Sequence, residues 1–132
     1  MNALLEQFLV EARDLMDEAV PGLLQMERGE GGPDVVNTVF RAIHTLKGTS
    51  GLFEMAPLTS MVHAGEDLLD ALRAGRLTVT SRMVDLLLEM IDQVRIWIDD
   101  LERTEELPSG AATIAAERAA GLSAVMAGAT LQ

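Results

Sequence analysis

The feature that most constrains this chain is the period of its apolar residues. They recur at i, i+3 and i+4 spacing in five blocks, and no stretch shows the sustained period-two alternation of a half-buried strand. The first block spans about residues 2–28, with Leu5, Phe8, Leu9, Ala12, Leu15, Met16, Ala19, Leu23 and Leu24 on one stripe. Pro21 lies inside it, lacks a donor, and is expected to kink or restart the helix. Gly29-Glu30-Gly31-Gly32-Pro33 is a breaker, after which Asp34 suits an N-cap or first-turn acid for a second helix reaching about Met55. Pro57 opens a third helix that runs to about Ala74 and buries Leu58, Met61, Val62, Gly65, Leu68, Leu69 and Leu72, with Gly75 as its stop. Thr80 or Ser81 caps a fourth, which runs to about Arg103 through Val84, Leu87, Leu88, Ile91, Val94, Ile98 and Leu101. Pro108-Ser109-Gly110 breaks the chain again before an alanine-rich helix with a weaker stripe.

Long amphipathic helices on short connections pack as antiparallel neighbours. The expected architecture is all-α, an up-down-up-down four-helix bundle over about residues 2–104. A fifth helix over about 111–127 packs on one end or side of the same single domain. The apolar inventory agrees: eight Met but only three Phe, one Trp and no Tyr suit helix packing better than a β-sandwich.

Charge and cysteine usage remove several function classes. With 21 acidic against 10 basic residues and a net charge of −11, the chain lacks the basic stripe that nucleic acid or an anionic membrane surface demands. There is no cysteine, hence no disulfide, thiolate catalysis or Cys-based zinc site. No apolar run approaches the ~20 residues that span a bilayer. Glu6 and Glu11 near the start, with no basic n-region, do not suit a signal peptide. A cytoplasmic protein is the simplest expectation. Arginine supplies nine of the ten cationic residues, and the single lysine, Lys47, lies three residues after His44.

The second helix carries the chemistry. Its apolar stripe is Val36, Val39, Ile43, Leu46, Ser50 and Phe53, and at 100° per residue His44 lies about 130° from the stripe's centre, facing outward. Lys47 is on its flank, and Gly48 and Gly51 fall within about 40° of the same direction. Each glycine costs about 1 kcal/mol relative to alanine in a helix interior. Folding gives no reason for that placement, whereas clearing side chains from around an imidazole lets a second protein's active site approach. A histidine with an ordinary pKa of about 6.5 has a neutral, lone-pair-bearing nitrogen at neutral pH. Lys47 could offset phosphoryl charge as a point cation. What remains is a group to fix the tautomer, and Glu66 on the third helix meets that need. His44 precedes the turn at Ala56-Pro57 by about twelve residues and Glu66 follows it by nine or ten. At ~1.5 Å per residue the mismatch in an antiparallel hairpin is a helical turn or less. His63, at i−3 from Glu66, shares a helix face with it.

His44-Thr45-Leu46-Lys47-Gly48-Thr49-Ser50 resembles the H-x-x-K-G-small-small motif of histidine phosphotransfer (HPt) domains. More closely, the chain resembles the amino-terminal phosphotransfer domain of chemotaxis kinases of the CheA family. The likeness runs through Phe8-Leu9-Val10-Glu11-Ala12, Phe40-Arg41-Ala42-Ile43-His44 and Val62-His63-Ala64-Gly65-Glu66-Asp67-Leu68-Leu69-Asp70, over about residues 1 to 105. The resemblance implies His44 as phosphoacceptor, Glu66 hydrogen-bonded to it, and Lys47 and His63 in support. It implies phosphorylation by the kinase's ATP-binding domain, in trans within a dimer and using ATP with Mg, followed by transfer to an aspartate of a CheY-like receiver. Arg41, Thr45, Gly48, Gly51 and Leu52 are the expected partner-facing residues. Nothing resembles ATP-binding boxes, so no cofactor is expected in this domain, which by itself acts as a phosphorylated intermediate rather than a kinase.

Other classes fit less well. A di-metal bundle site needs Glu-x-x-His pairs on two helices and further glutamates, and this chain has two histidines in all, so no metal is expected. A bundle that only binds a partner would have no use for an intact His44, Lys47 and Gly48 set. A free-standing relay protein remains the alternative to a kinase domain. The amino-terminal match, and an end in Ala-Gly-Ala-Thr-Leu-Gln that suits the start of a linker, favour a domain of a longer kinase.

Overall fold

The computed structural model describes residues 2–130, and among these the chain forms five helices and no strand. They are α1 (Ala3–Glu27), α2 (Gly32–Gly51), α3 (Ala56–Arg73), α4 (Ser81–Thr104) and α5 (Ala111–Thr130). The first four make the antiparallel bundle. α1 packs on α2 and α4, and α2 on α3. The fifth helix lies on the side of the bundle against α3 and α4, and α3 is in broader contact with α5 than with α4. Residues 131–132, where a linker is expected, lie outside the described residues.

Local chemistry explains most boundaries. The Asn2 side chain accepts from the backbone N–H groups of Leu4 and Leu5 and starts α1. That helix ends at Arg28 with Gly29 at φ +71°, the Gly29 N–H bonded to Met26 O at 3.1 Å and the Glu30 N–H to Gln25 O at 2.9 Å. The same paired closure ends α3 at Gly75, φ +78°, and only a residue without a Cβ enters that conformation without strain. Thr80 Oγ1 accepts from Met83 N–H at 3.2 Å and starts α4.

Two expectations, for Leu24 and for the end of α2, are corrected, and two alternatives, at Pro21 and Asp34, are resolved. Helix α1 runs through Pro21 as one element rather than restarting there. Leu24 is exposed, because the inward stripe passes through Leu23 and Met26, and Leu24 is a 100° step away from Leu23. Asp34 is a first-turn acid, while the N-cap place is held by Gly31 at φ +81°, with no side-chain cap. Helix α2 stops at Gly51, short of Met55, because the N–H groups of Leu52, Phe53 and Glu54 tighten onto the carbonyls three residues back and Glu54 then turns left-handed at φ 56°.

The core is one continuous cluster of Leu, Met, Ile, Val and Ala with Phe8 and Trp97. Every residue on the expected α3 stripe is buried. On α4 the buried face is wider than the stripe, taking in Met83, Leu86, Met90, Gln93 and Trp97, because α4 is covered by α1, α3 and α5 together. Gly65 lets α4 close on α3: a Cβ there would run into the Met90 thioether. At the α2–α3 turn the buried Ser50 hydroxyl donates to or accepts from Thr59 Oγ1 at 2.8 Å and lies 2.9 Å from Lys47 O. The link ties the start of α3 to the turn of α2 that follows His44.

Candidate functional site

His44 sits in mid-α2 with its side chain 60% exposed. Glu66, across the hairpin on α3, is 13% exposed, and Lys47, one turn along α2 from His44, is 25% exposed. The three form one cluster. His44 Nδ1 lies 2.8 Å from Glu66 Oε2, and Lys47 Nζ donates to Glu66 Oε1 at 2.8 Å. Each carboxylate oxygen therefore has a partner, which a nearly buried charge requires.

The electrostatics follow from that pairing. Burial pushes the Glu66 pKa up and is the largest single influence. The hydrogen bonds from Lys47 and His44, with their charges, together outweigh it and hold the carboxyl below its ordinary value. An ionised carboxylate only accepts, so the proton between the two groups belongs to Nδ1. In the neutral ring the lone pair is then on Nε2, and no described residue is hydrogen-bonded to that nitrogen. Chemically, the arrangement can serve as a nucleophile, with its tautomer set by Glu66 and most of its side chain exposed.

Lys47 is engaged by Glu66 rather than standing free above the imidazole. It steadies the carboxylate and leaves two further ammonium protons for other oxygens. His63 is not brought into the cluster: it is exposed, and its Nε2 lies 3.5 Å from Asp67 Oδ1 one turn along α3. Arg41, Thr45, Gly48, Gly51 and Leu52 are all exposed, Leu52 at 80%. A Cβ added at Gly48 or Gly51 would meet nothing within 4 Å, so no contact within the chain requires either glycine.

The sequence pattern points to no role for two residues that bear on His44, one directly and one through the other. Phe40 stacks its ring on the imidazole, and Arg73 lies over Phe40. Phe40 at i−4 from His44 was a readable signal, since residues four apart on a helix meet. Arg73, from the far end of α3, carried none.

An all-α bundle whose surface shows an uncrowded imidazole, backed by a paired carboxylate from the next helix, defines a class of helical, histidine-presenting domains. The Hpt domain family model matches residues 3–97, and the chain belongs to that family. It is 38% identical over 96 residues to the chemotaxis protein CheA of Treponema pallidum, covering 73% of this chain and 12% of that protein. To the CheA of Halobacterium salinarum it is 34% identical over 107 residues, covering 81% of this chain and 16% of that protein. The chain thus spans well under a fifth of the length of these relatives. The fold matches the phosphorylated P1 domain of CheA3 in complex with CheY6 from R. sphaeroides at a TM-score of 0.87, with 23% identity, covering 98% of this chain and 99% of that one.

Proposed function

We propose that this chain is the phosphoacceptor domain of a chemotaxis-type histidine kinase. His44 Nε2 attacks the γ-phosphorus of ATP, held with Mg in a separate kinase domain that works in trans within a dimer. The P–O bond to ADP breaks as the N–P bond forms. An aspartate carboxylate of a CheY-like receiver then attacks the same phosphorus, the N–P bond breaks, and the imidazole regains its lone pair. The observation that carries this reading is the 2.8 Å approach of Glu66 Oε2 to His44 Nδ1 behind an exposed ring. It is supported by the likeness to CheA proteins and by the solved P1 domain, itself phosphorylated and in complex with CheY6.

Phosphoryl transfer runs through a loose transition state, so the protein's part is positioning and charge. Glu66 positions Nε2, and Lys47 meets the charge of the phosphoryl oxygens. His63 is paired with Asp67 one turn along α3, outside the cluster, and no part in the transfer is proposed for it. Gly48 and Gly51 let the partner's active site descend on the ring, with Arg41, Thr45 and Leu52 around them as its docking rim. The work is done in the cytoplasm, and no described helix is long and apolar enough to cross a membrane. Incubation with a CheA-type kinase core and radiolabelled ATP gives acid-labile, base-stable label on the wild type. The label passes to a CheY-like receiver and is absent from His44→Gln. Label retained on His44→Gln would remove His44 from the reaction.

A further inference from the structure

Glu66 fixes one atom of the imidazole. A ring held only at Nδ1 can still tilt about that hydrogen bond, and the Nε2 lone pair lies in the ring plane, so the tilt sets whether it points in line with the breaking P–O bond. A second restraint on the plane is present in Phe40, one turn before His44 on α2 and half-buried against the core. The two rings are stacked with centroids 5.7 Å apart and planes 14° from parallel. Phe40 is itself restrained from α3. The Arg73 guanidinium carbon lies 3.9 Å from the centre of the Phe40 ring, and Arg73 Nη2 donates to Asp70 Oδ1 at 2.6 Å. Arg76 Nη2, 3.6 Å from Asp70 Oδ2, holds the same carboxylate.

We propose that Phe40 is a positioning residue that sets the plane of the His44 ring, and that Arg73, anchored by Asp70, holds Phe40 in place. The proposal rests on the phosphoacceptor reading above and deepens it: α3 then governs the nucleophile twice, through Glu66 at Nδ1 and through Arg73 by way of Phe40. A half-buried phenylalanine that merely fills space would be replaced by any apolar residue of similar volume. A positioning ring would be replaced only by another ring.

The test compares Phe40→Leu, Phe40→Tyr and Arg73→Gln with the wild type, at a temperature where all four are folded by circular dichroism. Phe40→Leu lowers kcat for transfer to the receiver about two- to tenfold, the factor equivalent to one aromatic pair, and leaves KM in place. Phe40→Tyr restores the rate, and Arg73→Gln gives a smaller loss. In NMR spectra of the unphosphorylated protein, the ring-current displacement of the His44 carbon-bound protons disappears in Phe40→Leu and persists in Phe40→Tyr. A wild-type rate in Phe40→Leu overturns the proposal, as do equal losses in Phe40→Leu and Phe40→Tyr, or His44 resonances indifferent to both. Should the wild type accept no phosphoryl group at all, the proposed function fails, and the NMR comparison still decides whether Phe40 orients the ring.

Discussion

At the residue scale the site depends on one carboxylate serving two donors. Glu66→Gln keeps the shape but removes the charge, so the bond to Nδ1 weakens and the Lys47 ammonium loses its counter-ion. A hydrogen bond to a charged group is worth about 1.5–3 kcal/mol, so transfer from His44 is expected to slow by roughly ten- to a hundredfold, read from single-turnover kinetics with a receiver in excess. The same carboxylate has a signature in stability against pH. Its folded pKa is lowered, so its stabilising contribution is complete above the ordinary glutamate value of about 4.3 and is lost as pH falls through the lower folded value. Urea titrations of wild type and Glu66→Gln should therefore differ at neutral pH and converge in that acid window. A gap that widened on acidification would contradict the pairing. That His44 faces outward was legible from helical period alone, because an azimuth follows from residue number once the apolar stripe is known. That Glu66 could reach it was legible from the length of each arm of the hairpin. The Lys47–Glu66 bond and the reach of Arg73 over Phe40 were not, since they depend on how two helix surfaces interlock, whereas the i, i+4 spacing of Phe40 with His44 and of His63 with Asp67 told which residues could meet but not which rotamers bring them together.

At the scale of the helix, glycines separate packing from function. Gly22 on α1 lies against α2, where an added Cβ would come 2.5 Å from Val39 Cγ2, an atom on a branched side chain with little rotamer freedom. Gly22→Ala is thus expected to destabilise the bundle by about 1–3 kcal/mol through overpacking, despite alanine's better helix propensity. Gly48 is the opposite case, because a methyl group there meets open space. Gly48→Ala should stabilise the fold by up to about 1 kcal/mol while raising KM for the receiver or the kinase domain, since in the proposed function a partner approaches His44 over that position. Thermal melts and transfer kinetics on the two variants read both quantities. A Gly48→Ala protein that is more stable and equally active would mean that the glycine face is not a docking face. Helix ends show the same division between what sequence can and cannot disclose. Gly75 stopped α3 as expected, because its left-handed conformation is local. The end of α2 came earlier than its pattern implied, because the tightening over residues 52–54 is imposed by the turn into α3.

At the scale of the whole molecule, α5 poses a question that the other helices do not. It lies outside residues 3–97 that match the family model, yet it buries Ala111, Ala115 and Leu122 against α3 and α4. Its low amphipathicity hid this in the sequence, where an alanine-rich helix has too little contrast between faces to show which one is covered. It likewise hid the full width of the buried face on α4. None of the hydrogen bonds in the His44, Lys47 and Glu66 cluster comes from α5, so its contribution should be to stability rather than chemistry. A chain truncated after Glu106 gives up the burial of Leu122, Ala111 and Ala115 and the partial burial of Ile114, Val125, Met126 and Ala129, and it uncovers Leu86, a loss of at least roughly 3–5 kcal/mol at about 0.8 kcal/mol per buried methylene. The melting midpoint should fall by about 10 °C or more, measured by scanning calorimetry. The deletion removes one acid, Glu117, and one base, Arg118, so the net charge stays at −11 and long-range steering of partners is unaltered. Well below both midpoints, the truncated and full chains should therefore transfer phosphoryl at equal rates. A slower truncated chain under those conditions, with Glu66 still bonded to His44, would show that α5 sets the seat of α3 and that the nucleophile's geometry is held from the far side of the bundle.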